Sequence, residues 1–421
     1  MASSRRRLRG ISLLSGTVLL AGSVLGSVAA GAASTHPKVV LEFWNAYNQT
    51  DTEASTMAKI VIPRFEKLHP GIEVKSVYIP YGNLLSKTLA AISAGSPPDI
   101  LRSDIIWVPE LAKLGALVPL SKSMPGFKRL ASEVFPGPLS TNRWGHTYYG
   151  LPLDTNTQVL FWNKADFAAA HLSGPPKTVE QIFADAKKLT APAHKQWGLD
   201  LEGTDMWNID PWVWSMGGSV TNRSYTKAVG YMNGKATVAA LTRLVDLYKQ
   251  GIVSPNILGG AGTIGGEQAF PKGQYAMYID GPWGAQTYKQ QFPHLKYGLE
   301  PLPHSVVGGE DAVIPAGGKH IKDAELFLTF LESPFSQYEM ALAGQMSVLK
   351  NLKSELSLHH YYPPFVAQLK TAEARIPVPQ YTQIDTLFSN DLQEALRGKM
   401  SVQAAMDQAA QASQALLDQN R

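Results

Sequence analysis

The sequence predicts an α/β protein, a largely parallel sheet with helices on both faces. Three observations predict it. Short apolar runs alternate with segments whose apolar residues recur at three- and four-residue steps. A strand, helix, strand, helix, strand order calls for parallel pairing through right-handed crossovers. A chain of 421 residues, 44% apolar and 17% charged, can enclose a sizeable core in about two or three domains. Sheets of this kind place ligands beyond the carboxyl ends of their strands.

The N-terminal segment differs from the rest. Met1 to Arg9 is cationic, and Ile11 to Ala33 carries no charge and ends in Ala30-Gly31-Ala32, which fits the small-residue cleavage rule. Residues 1–33 therefore read as a secretory signal peptide cut near Ala32 or Ala33. An uncleaved anchor is the alternative, because about 20 apolar residues span a bilayer. Ser4-Arg5-Arg6-Arg7-Leu8 suits a twin-arginine export signal and an ordinary basic start equally well.

Val39 to Trp44 reads as the first strand. In the next segment Met57, Ile60, Val61, Phe65 and Leu68 fall on one helical face, with Pro63 expected to kink or split the helix. Pro70-Gly71 ends it, and Ile72, Val74 and Tyr78 recur at even spacing as the second strand. Leu84 to Ala94 is helical, and Gly95-Ser96-Pro97-Pro98 turns into Asp99-Ile100-Leu101, a third strand. Farther on, Val159 to Trp162 and Ala276 to Ile279 read as strands. Thr178 to Leu189, capped by Thr178, Ala239 to Lys249 and Ala324 to Leu331 read as helices. Leu387 to Gln419 reads as two helices broken at Gly398.

Composition excludes several functions. Lys and Arg number 38 against 34 Asp and Glu, and Arg5, Arg6, Arg7 and Arg9 account for the excess of four. The remainder is balanced and shows no basic run, so no nucleic-acid partner is expected. With no cysteine, disulfides, thiolate metal sites, a thiol nucleophile and a lipid-modified cysteine are excluded. Gly260 to Gly265 satisfies G-x-G-x-x-G. It follows Pro255 and Asn256 and precedes Pro271, so it reads as a flexible loop and not as a dinucleotide site. No nucleophile-elbow, zinc or P-loop motif occurs, and the ten histidines, His359 and His360 included, read as solvated or core residues. No cofactor, metal or catalytic residue is expected.

The tryptophans are more informative. Trp162, Trp212 and Trp214 read as core, whereas Trp207 and Trp283 sit beside turn-forming and polar residues and are placed to face a cleft. Sugar rings offer an apolar C–H face and a rim of hydroxyls, so their sites want aromatic platforms with planar Asp, Glu and Asn groups nearby. Trp44 to Asn48, Asp99 to Asp104 and Trp207 to Asp210 carry that mixture at loops.

The order of segments resembles the extracellular solute-binding proteins of ABC importers, in the carbohydrate-binding group to which maltose-binding proteins belong. The resemblance runs through Leu41-Glu42-Phe43-Trp44, Phe65 to Val74, Ala94 to Ile100, Leu114 to Leu120 and Tyr149 to Pro152. It continues through Leu160 to Lys164, Phe270 to Met277, Gly281-Pro282-Trp283 and Pro301-Leu302-Pro303. The missing cysteine and Pro63 depart from the pattern. The resemblance implies a two-lobed periplasmic-binding-protein fold with the ligand cleft between lobes, one from residues 38–151 plus 305–348 and the other from 152–304 plus 349–421. The chain would cross near Leu151-Pro152, near Pro301 to Pro303 and near Ser347 to Lys353.

The resemblance also implies ligand contacts: Trp44, Asn45, Asn48 and Glu53 after the first strand, Tyr81, then Ser103 and Asp104, and Asn156. Trp207 and Trp283 would be stacking platforms, Asp205 or Asp210 a hydroxyl acceptor, and Gly309 and Glu310 a cleft-lining turn. Asp99 would hold its own turn. The implied protein is a secreted monomer, periplasmic or at the cell surface and not anchored through cysteine, that captures a sugar by lobe closure and passes it to a transporter permease. Two rivals remain: a secreted glycoside hydrolase, which needs two carboxyls about 5 to 9.5 Å apart, and a binder of glycerol phosphodiesters, for which Arg375 is the one candidate anion clamp.

Overall fold

Val39–Asn45 (β1) is a strand because its alternate residues serve different sides. Leu41 and Phe43 are buried on one face, against Phe65 and Phe327, while Trp44 packs toward the other. The computed structural model describes residues 38–259, 265–353 and 361–419. β1 lies parallel to Ile72–Tyr78 (β2) along its full length and parallel to Ile100–Asp104 (β3) at Phe43 and Trp44.

The helix between β1 and β2 runs from Thr52 to Leu68 with a π-helical turn at Met57–Val61, immediately before Pro63. Pro63 has no N–H to give, and the turn ahead of it widens so that Ile62 N–H donates to Met57 O. The extra residue rotates the helix face. Met57, Val61, Ile62 and Phe65 stay buried, but Ile60 and Leu68, expected on that face, are 40% and 51% exposed.

After a short hairpin of Arg143–Trp144 (β4) and Thr147–Tyr148 (β5), the chain enters Gly150–Pro152 (β6). Next come Asn156–Thr157 (β7), Val159–Asn163 (β8), Met277–Asp280 (β9) and Tyr297–Glu300 (β10). Ser305–Gly308 (β11), Glu310–Val313 (β12) and Ala372–Ala374 (β13) complete the set. The first sheet has the order β2-β1-β3-β12-β6, a second β10-β8-β9 and a third β13-β11-β7. β12 pairs antiparallel with β3 and with β6, while β11 pairs antiparallel with β7. Thus two stretches, 150–157 and 305–313, run side by side from the first sheet into the third. A third stretch meets the first of them through the Thr155 to Met346 bridge and continues to a bridge between Leu349 and Val134.

Gly309 makes that passage tight. Its φ is +138°, and a Cβ there would meet Asp154 O at 2.5 Å and Thr155 Cα at 3.0 Å, so only glycine fits.

The helices Val179–Leu189, Met206–Ser215, Lys235–Lys249, Tyr381–Leu396 and Val402–Asp418 contribute to a core that also takes in Leu160, Met277 and Ile279 of the second sheet. Trp212 and Trp214 are buried, Trp212 stacking on Phe183 at 5.6 Å; Trp162 is half-buried beside Phe167. The last two helices separate at Gly398, which has φ +72°. Thr178 caps the helix that follows it by accepting from Gln181 N at 3.2 Å. Thr178→Ala is expected to cost about 1 kcal/mol in denaturant unfolding.

Residues 1–37, with the leader, lie outside the described residues, as do residues 260–264 of the glycine-rich loop and both His359 and His360.

Candidate binding cleft

A cavity of about 500 Å³ opens where β3 ends and where the chain turns from β11 to β12. It lies at the carboxyl end of a parallel strand, where such sheets bind ligands, and within the usual size range for small-molecule sites.

Two indoles face it. Trp207 is the second residue of the helix Met206–Ser215, and Trp283 the second of the helix Pro282–Gln291. Each is half-buried, with part of its ring left to the cavity. Trp207 is held firmly: the Gln158 side-chain amide, oriented to satisfy both groups, accepts from its Nε1 at 2.7 Å and donates to its carbonyl at 3.1 Å. The Arg375 guanidinium lies 5.2 Å from the Trp207 ring centroid. On the opposite wall Tyr81 stacks on Trp107 at 5.1 Å and donates to Asp104 Oδ2 at 2.8 Å.

The polar lining is mostly acidic. Asp104 ends β3, and its Oδ1 accepts from Arg375 at 2.8 Å and from Ile106 N at 3.0 Å. Asp205 caps the Trp207 helix, accepting from Asn208 N and from Asn208 Nδ2. Asp385, on the helix Tyr381–Leu396, accepts from Met206 N at 2.6 Å. Burial raises the Asp385 carboxyl to about 7, reinforced by the neighbouring Asp205. Burial also raises Glu310 well above the carboxylate range, although Arg102 beside it acts in the opposite sense. Asn156 donates to Asp154 Oδ1 at 3.3 Å and keeps its own buried Oδ1 without a partner. Among the described residues Arg375 is the one cation in the lining, and it is already paired with Asp104.

Of the residues singled out in the sequence, the cavity gathers Tyr81, Asp104, Asn156, Asp205, Trp207, Trp283, Gly309 and Glu310. Trp44, Asn45, Asn48, Glu53, Ser103 and Asp210 lie off the lining, and most have local work that explains it. Asn45 folds onto Phe43 O and Ser76 Oγ, and Asn48 accepts from the amide and hydroxyl of Thr50. Trp44 donates to Glu42, and Ser103 donates to Asp104 O. Glu53 is buried near Arg102, and Asp210 is fully buried with neither carboxyl oxygen hydrogen-bonded. Asp99 accepts from Glu42 N at 2.9 Å, holding the turn before β3.

Tyr381 and Asp385 were not anticipated. They lie four residues apart on one helix face, and Pro377-Val378-Pro379 just before Tyr381 is a helix-start signal that marks the segment in retrospect. Asn208 and Ile106 flank residues already singled out.

An α/β scaffold with two half-buried indoles and an acidic rim around a cavity between sheets defines a two-lobed solute-binding protein. The family model of the bacterial extracellular solute-binding proteins matches residues 48–338, and the chain belongs to that family. Among similar proteins, the galactooligosaccharide-binding protein of Bacillus subtilis is 25% identical, covering 86% of each chain. An ABC transporter solute-binding protein from Thermotoga lettingae, solved with α-D-tagatose, is 26% identical with a TM-score of 0.81, over 90% of this chain and 100% of that one. The GacH receptor of Streptomyces glaucescens, solved unliganded and with acarbose, has a TM-score of 0.81 at 22% identity, over 91% and 99% of the two chains, and shows the shared fold. Among the described residues no helix is long and apolar enough to cross a membrane.

Proposed function

We propose that the chain is a secreted binding protein that captures a neutral sugar, an oligosaccharide in particular, and delivers it to the permease of an ABC importer. The observation that carries this reading is the pair of half-buried indoles, Trp207 and Trp283, on one cavity whose other groups are hydroxyl-pairing carboxyls and amides. The relatives named for sugars support it.

Closure follows from contacts made from both sides. Ligand bound to Tyr81 and Asp104 on one wall and Trp207 and Trp283 on the other favours the state in which the walls are near, and only that differential contact energy shifts the equilibrium. One lobe is built on residues 38–151 and 305–348 and the other on 152–304 and 349–421. The protein acts as a monomer, its leader directs export, and the ligand leaves unaltered.

A phosphodiester fits less well. The one lining arginine is neutralised by Asp104 at 2.8 Å, so the described lining leaves no unpaired cation to clamp a phosphate. A thermal-shift screen with maltotriose, galactotriose and a glycerol phosphodiester tests this. A neutral saccharide at about 100 times its Kd should stabilise the protein by about 2.7 kcal/mol. A shift with the phosphodiester alone would overturn the reading.

A further inference from the structure

Behind the cavity floor, the stretches that pass between the sheets converge on one arginine. Arg102, on β3, is buried, with its NH2 2.9 Å from Glu310 Oε2 and 3.7 Å from Asp154 Oδ2. Its guanidinium lies 4.3 Å from the centroid of the Tyr47 ring. Asp154 belongs to the passage from β6 to β7, and Glu310 begins β12 directly after Gly309. The two carboxyl groups are neighbours through that shared Arg102 nitrogen, and each acts on the other as a hydrogen-bond partner. Neither Asp154 Oδ2 nor Glu310 Oε2 accepts a well-formed hydrogen bond from another donor. A proton shared between the two acids supplies a donor in addition to Arg102; two bare carboxylates would have only that one guanidinium and would repel each other.

The surroundings favour the protonated pair. Glu53 adds a third buried carboxyl facing the same guanidinium, so one cation meets three acids. Asp104 is occupied by Arg375, and Asp311 is hydrogen-bonded to Thr141 and Asn142. The remaining titratable neighbours, Tyr47, Tyr81 and Tyr362, are phenols that burial pushes further from ionisation.

We propose that Arg102 is a positioning residue for ligand binding: it gathers Asp154 and Glu310 into a carboxyl pair that shares one proton, which fixes Glu310 at the cavity floor. This rests on the sugar-binding reading of the same cavity and adds to it a pH dependence. Burial raises Asp154 to about 7, with Arg102 acting to lower it, and raises Glu310 well above the usual carboxylate range. A carboxyl raised above its unfolded value gives up its contribution as pH climbs through the raised value. Once the proton leaves, the two carboxylates repel, the two passing stretches splay and Glu310 loses its place.

The test is the affinity for maltotriose or galactotriose, whichever gives the larger thermal shift, measured across pH. Wild-type affinity should fall about tenfold from about pH 6 to about pH 8.5. In Asp154→Asn the amide donates to Glu310 as the acid did, so the profile should lose this fall and keep only the part due to Asp385, which lines the cavity and is raised to about 7. Arg102→Lys keeps the charge but not the fork, and should weaken binding at every pH. A flat wild-type profile, or an Asp154→Asn profile that follows the wild type, would overturn the proposal. If no saccharide binds at any pH, the sugar reading fails, and infrared spectroscopy of the unliganded protein decides this one. The wild-type minus Asp154→Asn difference spectrum at neutral pH should then contain a protonated-carboxyl C=O band, and its absence would overturn the shared proton.

Discussion

Arg375→Ala is expected to lower the unfolding free energy by about 3–5 kcal/mol, the usual cost of removing one member of a buried ion pair. The side chains of Arg375 and Asp104 are 4% and 9% exposed, and their contact is 2.8 Å. Without the guanidinium, Asp104 keeps only the Tyr81 hydroxyl and the Ile106 amide. The Trp207 and Tyr381 rings also lose the cation at 5.2 and 5.8 Å from their centroids. Asp104 belongs to the first sheet, while Arg375 follows β13 of the third. The pair therefore ties opposite walls of the cavity, and sugar affinity should fall together with stability. Denaturant unfolding and saccharide titration measure the two effects. A loss under about 1 kcal/mol, the range of surface pairs, would show that the pair is solvated and does not join the walls.

Trp283→Ala should separate binding from folding. The indole is half-buried and lines the cavity. Truncation should cost about 2 kcal/mol of binding, close to thirtyfold in Kd, with stability changed by under about 1 kcal/mol. Trp207→Ala should lose similar affinity and more stability, because Gln158 accepts from its Nε1 and Arg375 lies over its ring. Chemical denaturation beside calorimetry distinguishes the cases. If Trp283→Ala unfolds the protein, the indole is a core residue and not a platform.

Much of the scaffold is legible in the sequence because its signals are local. Even spacing marks β2, Thr178 marks a cap, and Gly398 marks the break between the last two helices. The two cavity-lining tryptophans are legible for the same reason, since each lies at a helix start. What the sequence does not display is phase and reach. The π turn before Pro63 rotates Ile60 and Leu68 outward, a shift that three- and four-residue counting cannot register. Arg375, and Tyr381 and Asp385 from the helix Tyr381–Leu396, reach the cavity far along the chain from the other lining residues. Asn45 and Asn48 have the right chemistry for sugar but spend it on neighbouring backbone and hydroxyl groups, and composition at a loop does not separate those uses.

Calorimetric titration of the protein with a neutral trisaccharide tests the central claim most directly. Capture without chemistry predicts heats that saturate at one ligand per chain and then cease. A steady heat flow that persists after each injection would signify turnover, and no heat from any saccharide tried would mean that the indoles of this cleft serve a different guest.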